Sequence, residues 1–262
     1  MISKQFRFTR SILFFFACLP FLLSNSTACK QTSTQNSGLE DFPPIILWAW
    51  EREENLEFLD AKKYGVAFLA QTLELKDDET IVRPRRQPFR VSPETALIAV
   101  TRIESGESPA LSDKQKNEII NSVLKTLELK NVLAVQIDFD AALSQRDFYQ
   151  NLLTDLRRKL PEQTSLSITA LASFCIGDRW LFEAPVAEAV PMIFRMGADD
   201  SAVKNYLANG GDFKIKICQQ SYGVSLDEPV QMNFDKSRRL YVFNPQPWKP
   251  ADLRRIEENF NK

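Results

Sequence analysis

Apolar residues gather into eight short runs along the chain, and several of the stretches between them carry apolar positions at the three-to-four spacing of a helix. The first run, residues 45–50, is nearly continuous, as in a parallel strand buried on both faces. Leu56, Leu59 and Tyr64, with charges between them, predict a helix over 54–63. A second strand is predicted at 66–70. Residues 76–93 carry three prolines and no helical period, and predict an irregular crossover. The third strand, 96–104, leads to a helix announced by the capping box of Ser112 and Gln115 and by a stripe of Ile119, Ile120, Val123, Leu124 and Leu127. A fourth strand at 132–141 is followed by Ser144 and Asp147 as a cap, then by Phe148, Leu152, Leu156 and Leu160 on one helical face. Strands at 165–174, 189–195, 214–220 and 240–243 complete the set, and Pro250, Leu253, Ile256 and Phe260 predict a closing helix. Eight strands mostly separated by helical segments predict an α/β fold, a single (β/α)8 TIM-type barrel, slightly irregular. Pro191 inside a strand and weak helices after the second and seventh strands keep an open doubly wound parallel sheet as the competitor.

The fourth strand carries the most informative polar pattern. Side chains alternate along a strand, so Ala134, Gln136, Asp138 and Asp140 share one face and Leu133, Val135, Ile137 and Phe139 the other. Burying a carboxylate is costly unless it is paired or reached by water, so two acids at a strand end point to a site. Two aspartates capping the following turn or helix are the alternative. A parallel barrel gathers its functional groups at the carboxyl ends of its strands. Glu51, Arg102, Glu104, Asp138, Asp140, Asp178, Trp180, Arg195, Asp227, Glu228, Asn244 and Trp248 all follow or end predicted strands.

Composition narrows the chemistry. The 262 residues include no histidine, which excludes a Ser-His-Asp triad, a Cys-His dyad and any histidine-ligated metal within them. Acid and base work falls to the carboxylates, Lys, Tyr or Cys. A positive start with Lys4, Arg7 and Arg10, an apolar run over 12–23 and small residues up to Ala28 describe an export signal over 1–28. Cysteine follows as residue 29, with Ser26 where a lipobox has leucine, so lipidation of Cys29 is expected, with plain secretion as the alternative. Residues 29–42 then form a flexible tether and 43–262 the barrel, at the cell envelope and anchored to a membrane by lipid. Loss of 28 residues from 262 leaves 234, with 30 basic and 34 acidic side chains, a net charge of −4 that argues against nucleic acid. Cys175 and Cys218 remain, either as a disulfide or as two buried thiols.

A rim of acids flanked by aromatics suits a glycan, with one acid to protonate the leaving oxygen and a second to act as nucleophile or to activate water. The catalytic candidates are Asp138, Asp140, Glu104 and Glu228, with Asp140 nearer the mouth and Asp138 deeper, held by Arg102 or Arg195. The substrate-binding candidates are Glu51, Arg102, Asp178, Trp180, Arg195 and Trp248; Trp48 and Trp50 are assigned to the core. At roughly 3.3 Å per residue the two aspartates stand about 7 Å apart, which does not choose between a retaining and an inverting outcome. The basic residues between Arg83 and Arg90 read as a solvated loop, or as a contact for anionic groups of a glycan. No cofactor is expected. A divalent-metal site at Asp138, Asp140 and Glu104 is a weaker reading, and the metal assignment stays at none.

Four blocks resemble a bacterial family catalogued as domain of unknown function 3142: residues 135–141, 166–173, 190–197 without Ile193, and 223–229 without Leu226. The resemblance runs from about Trp48 to Trp248. It implies a barrel distantly like glycoside hydrolases and brings no established activity or catalytic residues. Phe174 stands before Cys175 where the family has tryptophan. The Asp-x-Asp of Asp138 and Asp140 also resembles chitinase-like barrels, but Ala141 and Ala142 stand where their longer motif goes on to a glutamate. The expected partner is a polysaccharide or envelope glycan, cleaved by a glycoside hydrolase-like enzyme or held by a noncatalytic binding or scaffold lipoprotein.

Overall fold

The computed structural model describes Leu39 and residues 42–106, 108–178 and 180–260. The export signal, Cys29 and most of the tether lie outside the described residues. Eleven strands and five α-helices follow in the order β1 (Ile45–Ala49), β2 (Glu54–Asn55), β3 (Tyr64–Lys76), β4 (Glu79–Pro84), β5 (Phe89–Arg90), β6 (Leu97–Ser105), α1 (Asp113–Thr126), β7 (Val132–Asp138), α2 (Arg146–Lys159), β8 (Ser165–Leu171), α3 (Ala172–Gly177), β9 (Glu188–Met192), α4 (Asp200–Ala208), β10 (Ser221–Ser225), β11 (Arg239–Phe243) and α5 (Pro250–Phe260). Eight of the strands, β1, β3 and β6–β11, are parallel neighbours, and β1 pairs with both β3 and β11, so the sheet closes on itself as a barrel. The open doubly wound sheet is thereby excluded.

Alternation along the strands divides the apolar residues into two layers. Trp48, Ala67, Leu69, Ile98, Val100, Ala134, Val190, Phe194, Tyr241 and Phe243 form one cluster, inside the barrel. The residues between them in sequence, such as Leu47, Val66, Val135, Ile137, Leu166 and Ile168, pack outward against Ile119, Val123, Leu152, Leu156 and Ile256 of the helices. Leu39 and Phe42, counted in the tether from sequence, are buried and join the inner cluster, and Arg239 donates to the Leu39 carbonyl. The capping box of α1 forms as expected: Ser112 Oγ accepts from Gln115 N at 3.2 Å and Gln115 Oε1 from Ser112 N at 3.4 Å.

Four expectations are corrected. Residues 54–63 form no helix. Glu54 and Asn55 instead pair with Phe89 and Arg90, and the Asp60 carbonyl accepts the N–H groups of Lys63 and Tyr64 in a turn that buries Leu56 and Leu59. The crossover after the second strand is not irregular: β3, with a bulge between Leu69 and Gln71 in its pairing with β6, runs on past the barrel and turns back antiparallel as β4. The seventh strand lies at Ser221–Ser225, after a 3-10 turn over Lys216–Gln219 that holds Cys218. Gly223 makes that strand possible, since a Cβ there would stand 3.0 Å from the Pro191 carbonyl oxygen and 3.3 Å from Met192 Cα. Pro191 is tolerated because β9 pairs with β10 through one residue pair, Met192 with Gly223. Finally, α2 starts at Arg146 after a 3-10 turn in which Gln145 Oε1 accepts Ala142 N–H at 2.9 Å, so Ser144 is not its cap.

Cys175 on α3 and Cys218 before β10 form a disulfide with a sequence separation of 43. Both are fully buried and pin the segment leading into β10 to the helix after β8. Closing a loop of that length stabilises by about 4 kcal/mol in the chain-entropy estimate. The double variant Cys175→Ala/Cys218→Ala is expected to lose about that much unfolding free energy in urea titrations; an unchanged midpoint would refute a structural role for the bond.

Candidate active site

β7 ends at Asp138 because the chain turns at once: the Phe139 carbonyl accepts the Ala141 N–H at 2.9 Å. Below it, Gln136 accepts the indole N–H of Trp48 at 3.1 Å and donates to Ser167 Oγ at 3.0 Å. Asp138 occupies the next inward position toward the mouth and is 5% exposed. Its Oδ1 accepts Thr169 Oγ1–H at 2.7 Å and its Oδ2 accepts Arg102 Nη1–H at 3.0 Å. Arg102 reaches it because register pairs these two residues across β6 and β7. The same guanidinium donates Nε–H to Glu104 at 3.1 Å.

Burial pushes the Asp138 carboxyl above the ordinary aspartate range; the Thr169 hydroxyl and the Arg102 charge pull the other way, and Asp140 adds to the rise. Arg102 is held more firmly protonated than usual: burial works against its charge, and Asp138 and Glu104 outweigh that cost. Tyr149 on α2 is fully buried, its hydroxyl has no partner among the described residues, and burial together with the charges of Asp138 and Asp140 lifts its pKa far up. Asp140, past the turn, is exposed. Arg102, Glu104, Asp138 and Asp140 line one cavity of about 230 Å³ at the carboxyl ends of β6 and β7.

The other candidates are elsewhere. Glu228 accepts from Lys204 Nζ at 2.5 Å and from Arg195 N at 3.1 Å, while Arg195 Nη2 donates to Asp227 at 3.1 Å. These residues clasp one another at the ends of β9 and β10, away from the Asp138 cavity lining, so Arg102 and not Arg195 holds Asp138. Asp178 is tied to Arg146 at 2.5 Å. Trp180 is half-buried and packs on Tyr149 and Phe174, beneath the Arg146 guanidinium, outside the Asp138 cavity lining. Trp248 is 4% exposed and donates Nε1–H to the Trp48 carbonyl at 2.9 Å, so it is core and no sugar platform. Glu51 is exposed on the loop after β1, outside the cavity. Arg85, from the basic stretch read as a solvated loop, is half-buried and donates to the Trp50 and Arg52 carbonyls. Among the described residues no group of three or more Asp, Glu, Cys or His is arranged to hold a metal ion; Arg102 already sits between Asp138 and Glu104.

Residues 94–181 match the model of a family described as a domain of unknown function (DUF3142). That span runs from before β6 to just past α3, and so includes Arg102, Glu104, Asp138, Asp140 and Thr169. A comparison with curated proteins finds no match. Two solved structures are similar: a family GH18 chitinase from Chromobacterium violaceum, with a TM-score of 0.48 and 11% identity over 88% of this chain and 89% of that one, and the chitinase domain of the spore coat protein CotE from Clostridium difficile, with a TM-score of 0.41 and 14% identity over 86% and 64%. Neither likeness assigns a role to a residue here.

Thr169 is a site residue to which sequence reasoning gave no role. Thr169 was visible as a polar residue on the inward face of its strand, in phase with Ser167. Its partner was not, because register between strands is not written in either strand alone.

The raised Asp138 pKa fixes the sign of a stability effect. Between the ordinary value of 3.8 and the raised folded value, the folded chain holds more protons than the unfolded one, so this group's contribution to stability falls as pH rises. Relative to Asp138→Asn, the wild type is therefore expected to be most favoured in acid, to lose ground through that window, and to run parallel above it. Urea midpoints of the two proteins across pH 3.5 to 8 measure this; the reverse slope would show that the Arg102 ion pair outweighs burial.

Proposed function

We propose that this protein acts on an envelope or cell-surface glycan at the mouth of its barrel, cleaving a glycosidic bond by carboxylate acid–base chemistry. One observation carries the proposal: a water-reached cavity at the carboxyl ends of adjacent strands brings together a buried carboxyl with a raised pKa, Asp138, and an open carboxylate, Asp140. Two carboxyls kept in unlike surroundings divide acid from base work. In this reading Asp140 meets the glycosidic oxygen, and Asp138, fixed by Arg102 and Thr169, sets the field beneath it. Glu104 assists from the far side of Arg102, and Glu228, engaged by Lys204, does not take part.

A second reading has its own support. Both Asp138 oxygens already accept hydrogen bonds, which leaves Asp140 as the acid of this cavity with no hydrogen-bond partner among the described residues. That arrangement suits a barrel that binds a glycan without cutting it.

The chain is further proposed to be exported and anchored by a lipid on Cys29, on the strength of the charge and hydropathy order of residues 1–28.

Asp140→Asn tests the chemistry. Asp140 is exposed, so the variant is expected to fold with stability within about 0.5 kcal/mol of wild type. Release of reducing ends in a polysaccharide digestion screen is expected to fall by roughly 100-fold or more. Undiminished release by the variant removes Asp140 from the mechanism, whereas saturable binding with no release by the wild type favours the binding module. For the anchor, Cys29→Ser is expected to move the protein from the membrane fraction to the soluble one, and unchanged fractionation would argue against lipidation.

A further inference from the structure

Trp50 stands at the barrel mouth and is not sealed in. β1 sends Ile46 and Trp48 into the lumen, and Trp50 follows in the same phase just past the strand end. It is half-buried and packs on the inner cluster, with its ring centroid 4.4 Å from that of Trp48 and 6.3 Å from that of Phe243. Trp48 and Phe243 are themselves buried, stacked 4.9 Å apart, with Phe194 4.8 Å beyond. Trp50 thus caps an aromatic column and keeps part of its surface open. Its backbone is fixed as well, since its carbonyl accepts Arg85 Nη1–H at 2.5 Å and Arg52 N–H at 2.8 Å.

Its height in the barrel relates it to the acids. Trp48 is bonded to Gln136 across the lumen; Asp138 lies two residues farther along β7, and Trp50 two residues farther along the chain, just past the end of β1. Both therefore lie on the mouth side of that bond. Met192, half-buried at the end of β9, packs on the same cluster.

We propose that Trp50 is a sugar-stacking platform: its open indole takes the apolar face of a pyranose ring, turning the next glycosidic oxygen toward the Asp138 and Asp140 cavity. The ligand class is a glycan of pyranose units whose ring face carries axial C–H groups, which pack on the electron-rich face of an aromatic ring. A fixed, desolvated platform also lowers the ordering cost of holding a flexible saccharide. The proposal rests on the glycan reading of the mouth and adds the residue that would position the chain.

The experiment titrates the full-length protein with cellohexaose, chitohexaose and laminarihexaose, read by tryptophan fluorescence and by calorimetry. Asp140→Asn serves as the parent, so that binding is read without turnover. Trp50→Phe keeps a flat ring, while Trp50→Met keeps apolar bulk without one; both are checked for an unchanged far-ultraviolet spectrum and a melting temperature near that of the parent. Expected are binding of at least one hexasaccharide with a fluorescence change, affinity within about threefold in Trp50→Phe, and a loss of tenfold or more in Trp50→Met. Equal affinity in Trp50→Met overturns the platform while leaving the acid chemistry of Asp140 to stand on its own test. Binding of none of the three by the parent overturns the platform, and reducing-end release by the wild type then decides separately whether the glycan reading survives.

Discussion

A sheet that closes on itself cuts its lumen off from water, so every polar group pointing inward needs a partner inside. This barrel meets most of that demand in layers, while Ser165 Oγ and Ser221 Oγ are buried with no hydrogen-bond partner among the described residues. Near the base, Glu188 is 1% exposed and both its oxygens accept, one from Tyr241 and one from Arg239 Nη1 at 3.0 Å. Across the middle, Trp48, Gln136 and Ser167 form a chain of neutral hydrogen bonds that links β1, β7 and β8. At the top, Asp138 is compensated by Thr169 and Arg102, and there the wall opens into a cavity. Each layer fixes the height of the one above, so the position of Asp138 follows from the bonding of Gln136.

The same economy explains the irregular parts of the barrel. Among the described residues no α-helix follows β1, β3 or β10. In those places arginines and acids hold loop backbone that a helix would otherwise cover. Arg52 donates to the carbonyls of Asn244, Pro245 and Gln246 while its Nε–H goes to the buried Glu54, and Glu54 in turn accepts the Trp248 N–H at 3.0 Å. After β10, Glu228 holds the N–H of Arg195, whose φ of +51 leaves that N–H aimed away from regular pairing. Strain of this kind at a non-glycine residue persists only where neighbours over-determine it, and the Arg195, Asp227, Glu228 and Lys204 clasp does so. Several of the charges that end strands are therefore parts of loop anchoring.

Sequence periodicity carried the architecture because alternation along a strand is a local property. Residues 45–50, 96–104, 132–141 and 240–243 were legible for that reason, as were α1, α2 and α5 from their apolar stripes. What failed was non-local. Leu56 and Leu59 have helical spacing, but an Asp60 turn and pairing to Phe89 and Arg90 set it. Residues 214–220 alternate convincingly, yet Cys218 is drawn into a disulfide, and the strand forms one step later where Gly223 lets β10 approach β9. At the site, the pairing of Arg102 with Asp138 was within reach of the sequence. The fate of Trp180 and Trp248 was not, since polar neighbours in sequence do not reveal what covers an indole in space.

Asp138 and Asp140 show how far two like residues can be driven apart by a single turn. They stand two positions apart, with Phe139 between them, and ideal alternation would give both the same face. The turn at Phe139 ends the strand between them, leaving Asp138 in the barrel wall with two donors and a raised pKa, and Asp140 in solvent. Because Asp138 is buried and Asp140 open, a bound ligand changes the two unequally. A neutral saccharide over the mouth would displace water from Asp140 and leave Asp138, already out of solvent and bonded to Thr169 and Arg102, as it is.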